Sequence, residues 1–88
     1  MTIENAIIKT ANYLTRGEVG RRVYVAQMKD ILREEDFTIP AIDQALIQMG
    51  RENKIVLMRL DDPTEITERD ARFATKSGGQ DNHIFYVR

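Results

Sequence analysis

The segment ALIQMGRENKIVLMRL, residues 45–60, changes its hydrophobic spacing halfway along its length. Apolar residues recur at helical spacing in the first half, whereas IVLMRL is almost continuously apolar, which is typical of a buried strand. Only the polar run GRENK separates the two patterns, where Gly50 weakens the helix end and Asn53 can terminate it. The segment therefore predicts a helix that leads directly into a strand.

The residues before this segment indicate where its helix begins. Thr38 is a suitable N-cap, and Pro40 falls in the first turn, where its missing N–H costs nothing. The helix is therefore expected over about residues 39–52. Its predicted buried stripe consists of Ile39, Ile42, Ala45, Leu46 and Met49.

Two more helices and a short strand are predicted upstream. Residues 3 to about 16 have helical spacing, and Gly17 and Gly20 mark the turn that ends this helix. The β-branched and aromatic run RVYV then predicts a brief strand, before a second helix from about 24 to 33. The stripes of the two helices are Ile3, Ile7, Ala11 and Leu14, and then Val25, Met28 and Leu32, widened by Ile31.

The C-terminal run HIFYVR predicts another strand, reached by a connection of roughly twenty residues. The connection opens with Asp-Asp-Pro and closes with Gly-Gly in a polar cluster, and both are turn signals. Thr67 with Asp70 matches a loose capping box, which predicts a helical turn in ERDARFA. The whole chain, residues 1–88, is thus expected to be one α+β domain.

Composition excludes several classes of protein. The 88 residues are 42% hydrophobic and 31% charged, as in a globular domain, and they contain no cysteine. A disulfide framework, a thiolate zinc site and cysteine catalysis are therefore excluded. The N-terminal segment has Glu4 and no basic region before a long apolar run, and no stretch approaches the ~18 apolar residues of a membrane span. We expect a cytoplasmic protein without a membrane partner.

The net charge of −1 is lower than that of most DNA-binding domains of this size, but it is unevenly distributed. Residues 1–22 hold four basic and two acidic residues, whereas residues 61–82 hold three basic and six acidic ones. A nucleic-acid interface on this chain would therefore have to be local.

The predicted order is helix, short strand, helix, helix, strand, long hairpin, strand. The segment that carries most of the resemblance is residues 40–63, PAIDQALIQMGRENKIVLMRLDDP. Through it the chain resembles the winged helix-turn-helix superfamily of small bacterial and archaeal regulators. In that superfamily a leucine-rich third helix leads into a strand that ends at an acidic-proline turn. Lys54 stands here where a glycine is usual, and the wing loop is longer than is common.

The resemblance implies three helices, a small antiparallel sheet and a long wing hairpin, with the third helix inserted into the major groove of double-stranded DNA. It also implies a role as a transcriptional regulator. Arg21 and Arg22 lie where the motif often approaches the DNA backbone, and Arg69, Arg72 and Lys76 would be wing contacts to phosphate or the minor groove.

Four residues fall on the outer side of the third helix when Ile42 faces the core: Gln44, Ile47, Gln48 and Arg51. Glutamine can form paired hydrogen bonds with adenine, arginine with guanine, and an apolar side chain can contact a thymine methyl group. The alternative interpretation is the solvated face of an amphipathic helix. Asp43 would favour the helix dipole but repel phosphate.

A second hypothesis is a winged helix that binds protein and not DNA. The acidic segment DDPTEITERD would suit a wing that folds back on the body, contacts a protein partner or is simply solvated. Winged helices commonly dimerise through terminal helices, and Ile8, Tyr13 and Ile47 are candidate contacts for a homodimer or another partner.

No residue set predicts an enzyme, a cofactor or a metal site. His83 is the only histidine and is expected to be structural or exposed, while Asp61, Asp62, Glu34 and Glu35 are expected to be solvated turn acids. SGGQDN lacks the lysine and following helix of a phosphate-binding loop. The expected core includes Ile42, Leu46, Met49, Leu57 and Phe85.

Overall fold

The helix-to-strand junction folds as its spacing predicts. The structure is a computed structural model that describes residues 2–18 and 20–88. Its elements, in chain order, are α1 (Ile3–Thr15), β1 (Val23–Tyr24), α2 (Val25–Glu34), α3 (Ile39–Arg51), β2 (Ile55–Met58), a 3-10 turn (Pro63–Glu65), α4 (Glu68–Arg72), β3 (Thr75–Ser77), β4 (Gln80–Asn82) and β5 (Ile84–Val87). The predicted α+β class is confirmed.

Capping residues define both ends of α3. The Thr38 hydroxyl accepts a hydrogen bond from the Ala41 N–H at 3.3 Å, so the predicted N-cap is confirmed. At the other end Asn53 is left-handed (φ 61°), and the Lys54 N–H donates to the Met49 carbonyl at 2.9 Å. This is a Schellman C-terminus with asparagine in the position that glycine usually occupies. It reverses the chain within three residues and starts β2.

Lys54, the departure from the usual glycine, ties this junction to the first helix. Its Nζ lies 3.5 Å from carboxylate oxygens of both Glu4 and Glu52. These two carboxylates raise the pKa of Lys54 above its usual value. The side chain is half exposed, so the contacts contribute little to stability.

Three strands form an antiparallel sheet in the order β1-β5-β2. Val23 pairs with Phe85 on one side of β5, and Leu57 pairs with the same residue on the other. Helices α1, α2 and α3 pack on one face of the sheet. The buried cluster between them includes Ile7, Val25, Met28, Leu32, Ile42, Leu46, Met49, Ile55 and Phe85. Four of the five expected core residues are fully buried, and Leu57 is partly buried.

The long connection differs most from its prediction. Three helices and a long wing hairpin with one helical turn were expected, whereas the described residues contain four α-helices, because that turn forms α4. Thr67 and Asp70 form the predicted capping box at its start. α4 packs against α2, and only residues 75–82 form a separate hairpin. The predicted helical turn is therefore a helix packed on the body of the domain, and the wing hairpin is shorter than expected.

Within residues 2–18 and 20–88, no helix has both the length and the apolar character needed to cross a membrane.

Candidate functional site

The outer face of α3 presents a row of polar side chains to solvent. Gln44, Gln48 and Arg51 are all exposed, and their spacing of four and three residues places them on one side of the helix. At a rise of about 1.5 Å per residue, the row is about 10 Å long. It therefore has the length and the donor and acceptor groups to meet a few adjacent base pairs.

Ile47 does not belong to this open row. It is half buried and, with Gly50, lies on the flank of α3 that faces the β3–β4 hairpin. A cleft of about 450 Å³ separates this flank from the hairpin. Its walls include Ile47, Gly50 and Arg51 from α3, Leu57 from β2, and Ser77 and Gln80 from the hairpin. The polar row and the cleft thus meet at Arg51.

The hairpin has one polar, uncharged face and one charged face. Register pairs Thr75 with Asn82 and Ser77 with Gln80, which alternate along the strands with the opposed pair Lys76 and Asp81. Lys76 is exposed. The two-residue loop Gly78-Gly79 has φ values of 61° and 77°, and positive values at both positions are what a type I′ turn requires.

Asp43, which the sequence suggested would repel phosphate, is neutralised by a lysine. Lys29 of α2 is 2% exposed, and its Nζ lies 2.6 Å from Asp43 Oδ1. The Thr75 hydroxyl donates to the same oxygen at 2.8 Å. Sequence reasoning missed this pair, although Lys29 lies four residues after Val25 and three before Leu32. Its place on the buried stripe of α2 was the available signal.

The two arginines before β1 are exposed, but one of them has an acidic partner. Arg21 Nη1 lies 3.2 Å from Glu18 Oε2, while Arg22 has no ion pair with any described residue. Arg88 lines both the depression beside Arg21 and the cleft beside Arg51. Arg21 and Arg51 therefore lie toward the same end of the sheet.

Arg69 and Arg72 lie on α4 and not on the hairpin, whose first strand begins only at Thr75. Arg69 pairs with Asp30 of α2, and its guanidinium lies 5.8 Å from the centre of the Phe73 ring. Arg72 is 3.9 Å from Glu68. Of the three predicted wing cations, only Lys76 is on the projecting hairpin.

The remaining candidates have structural positions. His83 is buried, and its Nδ1 accepts a hydrogen bond from the Leu60 N–H at 3.2 Å, which joins the start of the connection to its end. Ile8 packs against the core, whereas Tyr13 on α1 is 79% exposed. No group of potential metal ligands occurs among residues 2–18 and 20–88.

Comparison of the chain with protein-family models, with curated proteins and with solved structures finds no match. Its function must therefore be inferred from the geometry of its own residues.

Proposed function

We propose that the chain is a winged-helix DNA-binding module that inserts α3 into the major groove of double-stranded DNA. The observation that carries this proposal is the exposed row of Gln44, Gln48 and Arg51. Glutamine amides match the paired donor and acceptor of adenine, and arginine matches the two acceptors of guanine. These contacts would give the module the sequence preference of a transcriptional regulator.

The order of elements supports the winged-helix assignment. α1, β1, α2 and α3 are followed by β2 and β5, which pair directly, with β1 on the other side of β5. In this interpretation the β3–β4 hairpin is the wing. α4 is an additional helix that lies between β2 and the wing along the chain. The wing lies beside the flank of α3, where Ser77 and Gln80 line the shared cleft.

Charge also supports the proposal locally, despite the net charge of −1. The contact between Lys29 and Asp43 removes the unfavourable charge at the start of the α3 row. Arg22, Arg51 and Arg88 are exposed, and none has an ion-pair partner among the described residues. Arg22 and Arg88 are suitable phosphate contacts around the inserted helix, and Arg51 is left to contact a base.

A protein-interaction module is the second candidate, and two observations favour it. The exposed Tyr13 ring on α1 offers an amphipathic contact to a partner or to a second copy of the chain. Arg21 and Arg69, two of the predicted backbone contacts, are already paired with Glu18 and Asp30. In this alternative the polar row on α3 is a solvated surface.

Fluorescence anisotropy of a labelled mixed-sequence duplex tests the proposal. We expect binding at low salt that weakens as salt is raised, because phosphate neutralisation releases counterions. Arg51→Ala should weaken binding more than Lys9→Ala, which removes the same charge from the exposed surface of α1. The loss of a bidentate guanine contact corresponds to about 1–3 kcal/mol at a preferred site.

Absence of binding at low salt would eliminate the DNA hypothesis, since phosphate attraction is strongest there. Equal losses in Arg51→Ala and Lys9→Ala would show attraction to overall charge without insertion of α3. Either result would direct attention to partners of Tyr13, whose Tyr13→Ser variant should then reduce self-association in sedimentation experiments.

A further inference from the structure

A continuous chain of polar contacts joins the helical core to the β3–β4 hairpin. It begins with the buried Lys29 Nζ, 2.6 Å from Asp43 Oδ1, and passes to the Thr75 hydroxyl at 2.8 Å. Asn82 Nδ2 then donates to the Thr75 carbonyl oxygen at 3.1 Å. Gln80 Nε2 donates to Asn82 Oδ1, also at 3.1 Å. The contacts run from α2 through α3 to the exposed end of the hairpin.

The composition of the hairpin makes these contacts important. TKSGGQDN, residues 75–82, contains no aliphatic or aromatic side chain. Hydrophobic burial orients the strands of the main sheet. It cannot orient this hairpin against α3 in the same way. An isolated two-stranded hairpin is also only marginally stable in water. The hairpin is held at its base, where Thr75 is 0% exposed and Asn82 is buried.

We propose that Asp43 and Thr75 are positioning residues that hold the hairpin beside α3 and so set its distance from the row of base-contacting side chains. This inference rests on the proposed function. Asp43 immediately precedes Gln44 in the exposed row, so the hydrogen bond to Thr75 links the wing directly to the helix that carries the base contacts. With the hairpin released, DNA would have to select the correct arrangement from several, which lowers the apparent affinity.

Thr75→Val is the variant of choice, because valine has nearly the shape of threonine and leaves the Lys29–Asp43 pair intact. Amide hydrogen exchange followed by NMR should show residues 76–81 exchanging about two- to tenfold faster, the range that corresponds to one net hydrogen bond. Amides of β2 and β5 should keep their protection. Thr75→Ser, which retains the hydroxyl, should keep the exchange rates of the hairpin amides at their wild-type values.

Thr75→Val should also bind a duplex more weakly, by up to about tenfold. The dependence of binding on salt should be unchanged, because no phosphate contact is lost. Thr15→Val is the matched control. Thr15 is also buried, but its hydroxyl donates to Ala11 within α1 at 2.8 Å. This control should leave both hairpin exchange and DNA affinity unchanged.

Unchanged hairpin exchange in Thr75→Val would overturn the proposal. Faster exchange with wild-type DNA affinity would also overturn it, since the contact would then stabilise the hairpin without serving binding. A wild-type protein that does not bind DNA would refute the proposed function and the role in binding. The exchange rates would still decide whether Asp43 and Thr75 hold the hairpin.

Discussion

At the scale of single residues, Lys29 is the most unusual feature of the chain. A lysine that is 2% exposed has lost nearly all of its hydration, and a buried charge is tolerated only beside an opposite charge with good geometry. Asp43 provides this charge, and its own side chain is still 32% exposed. The buried Lys29 on α2 therefore requires an acidic residue at position 43 of α3.

Asp43→Ala should destabilise the protein by about 3 kcal/mol, near the lower end of the range for a buried ion pair, because it leaves the Lys29 ammonium without a partner. Urea unfolding followed by circular dichroism measures the change. Lys29→Met combined with Asp43→Leu should recover most of the loss, since the buried charge is then absent.

Asp30→Ala is the comparison for this prediction, because it removes the acid from the more exposed pair with Arg69. The two side chains are 40% and 55% exposed, so the expected cost is below about 1 kcal/mol. Equal costs for the two alanine variants would mean that the buried pair has no special role in stability.

At the scale of elements, the junction between α3 and β2 combines a weak helix end with a strong stop signal. Gly50 has helical backbone geometry and gains nothing from its conformational freedom, whereas Asn53 uses the left-handed region at φ 61°. The Schellman contacts, and not Gly50, therefore terminate the helix.

Gly50→Ala should raise the free energy of unfolding by about 0.5–1 kcal/mol, because alanine reduces the entropy of the unfolded chain and favours the helix. A Cβ built at this position lies 3.6 Å from Leu57 Cδ1, which is an ordinary contact distance. Thermal unfolding measures the effect. A destabilised variant would show that Leu57 cannot accept the added methyl group.

Gly78→Ala provides the contrasting test of a glycine whose freedom is needed. Its φ of 61° lies in the left-handed region, which costs an alanine roughly 1–2 kcal/mol. We expect faster exchange of the hairpin amides in this variant, in contrast to the stabilisation expected from Gly50→Ala.

At the scale of the whole molecule, the charge distribution limits any interaction with DNA. The net charge is −1, and several cations are paired with carboxylates, among them Arg21, Lys29 and Arg69. Five exposed cations near α3, the hairpin or the adjacent sheet have no ion-pair partner among the described residues: Arg22, Arg51, Arg59, Lys76 and Arg88. Affinity must therefore come mainly from specific contacts.

The logarithm of the DNA affinity should fall with the logarithm of salt concentration with a slope no steeper than about −4, because Arg51 contacts a base and the other four cations each contribute about −0.9. Anisotropy titrations at several salt concentrations measure this slope. A slope steeper than about −6 would contradict the assignment, since cations away from this surface, or the paired arginines, would then have to contact phosphate.

Local signals in the sequence determined the elements and much of the core. Helical and strand spacing, the Thr38 cap, the capping box of Thr67 and the paired glycines of the hairpin each act within a few residues. They are therefore visible without knowledge of the fold. The outward direction of Gln44, Gln48 and Arg51 follows from the same periodicity.

Only the tertiary structure decided which residues share a surface. The pair between Lys29 and Asp43 joins two helices, and the contact between Asp43 and Thr75 spans 32 residues. No local pattern therefore predicts which residues are partners. The capping box and the paired glycines mark α4 and the hairpin turn locally, whereas the packing of α4 against α2 and of β3 against α3 is tertiary. Such contacts form only where the fold brings these groups together, and they determine which cations are exposed without an acidic partner.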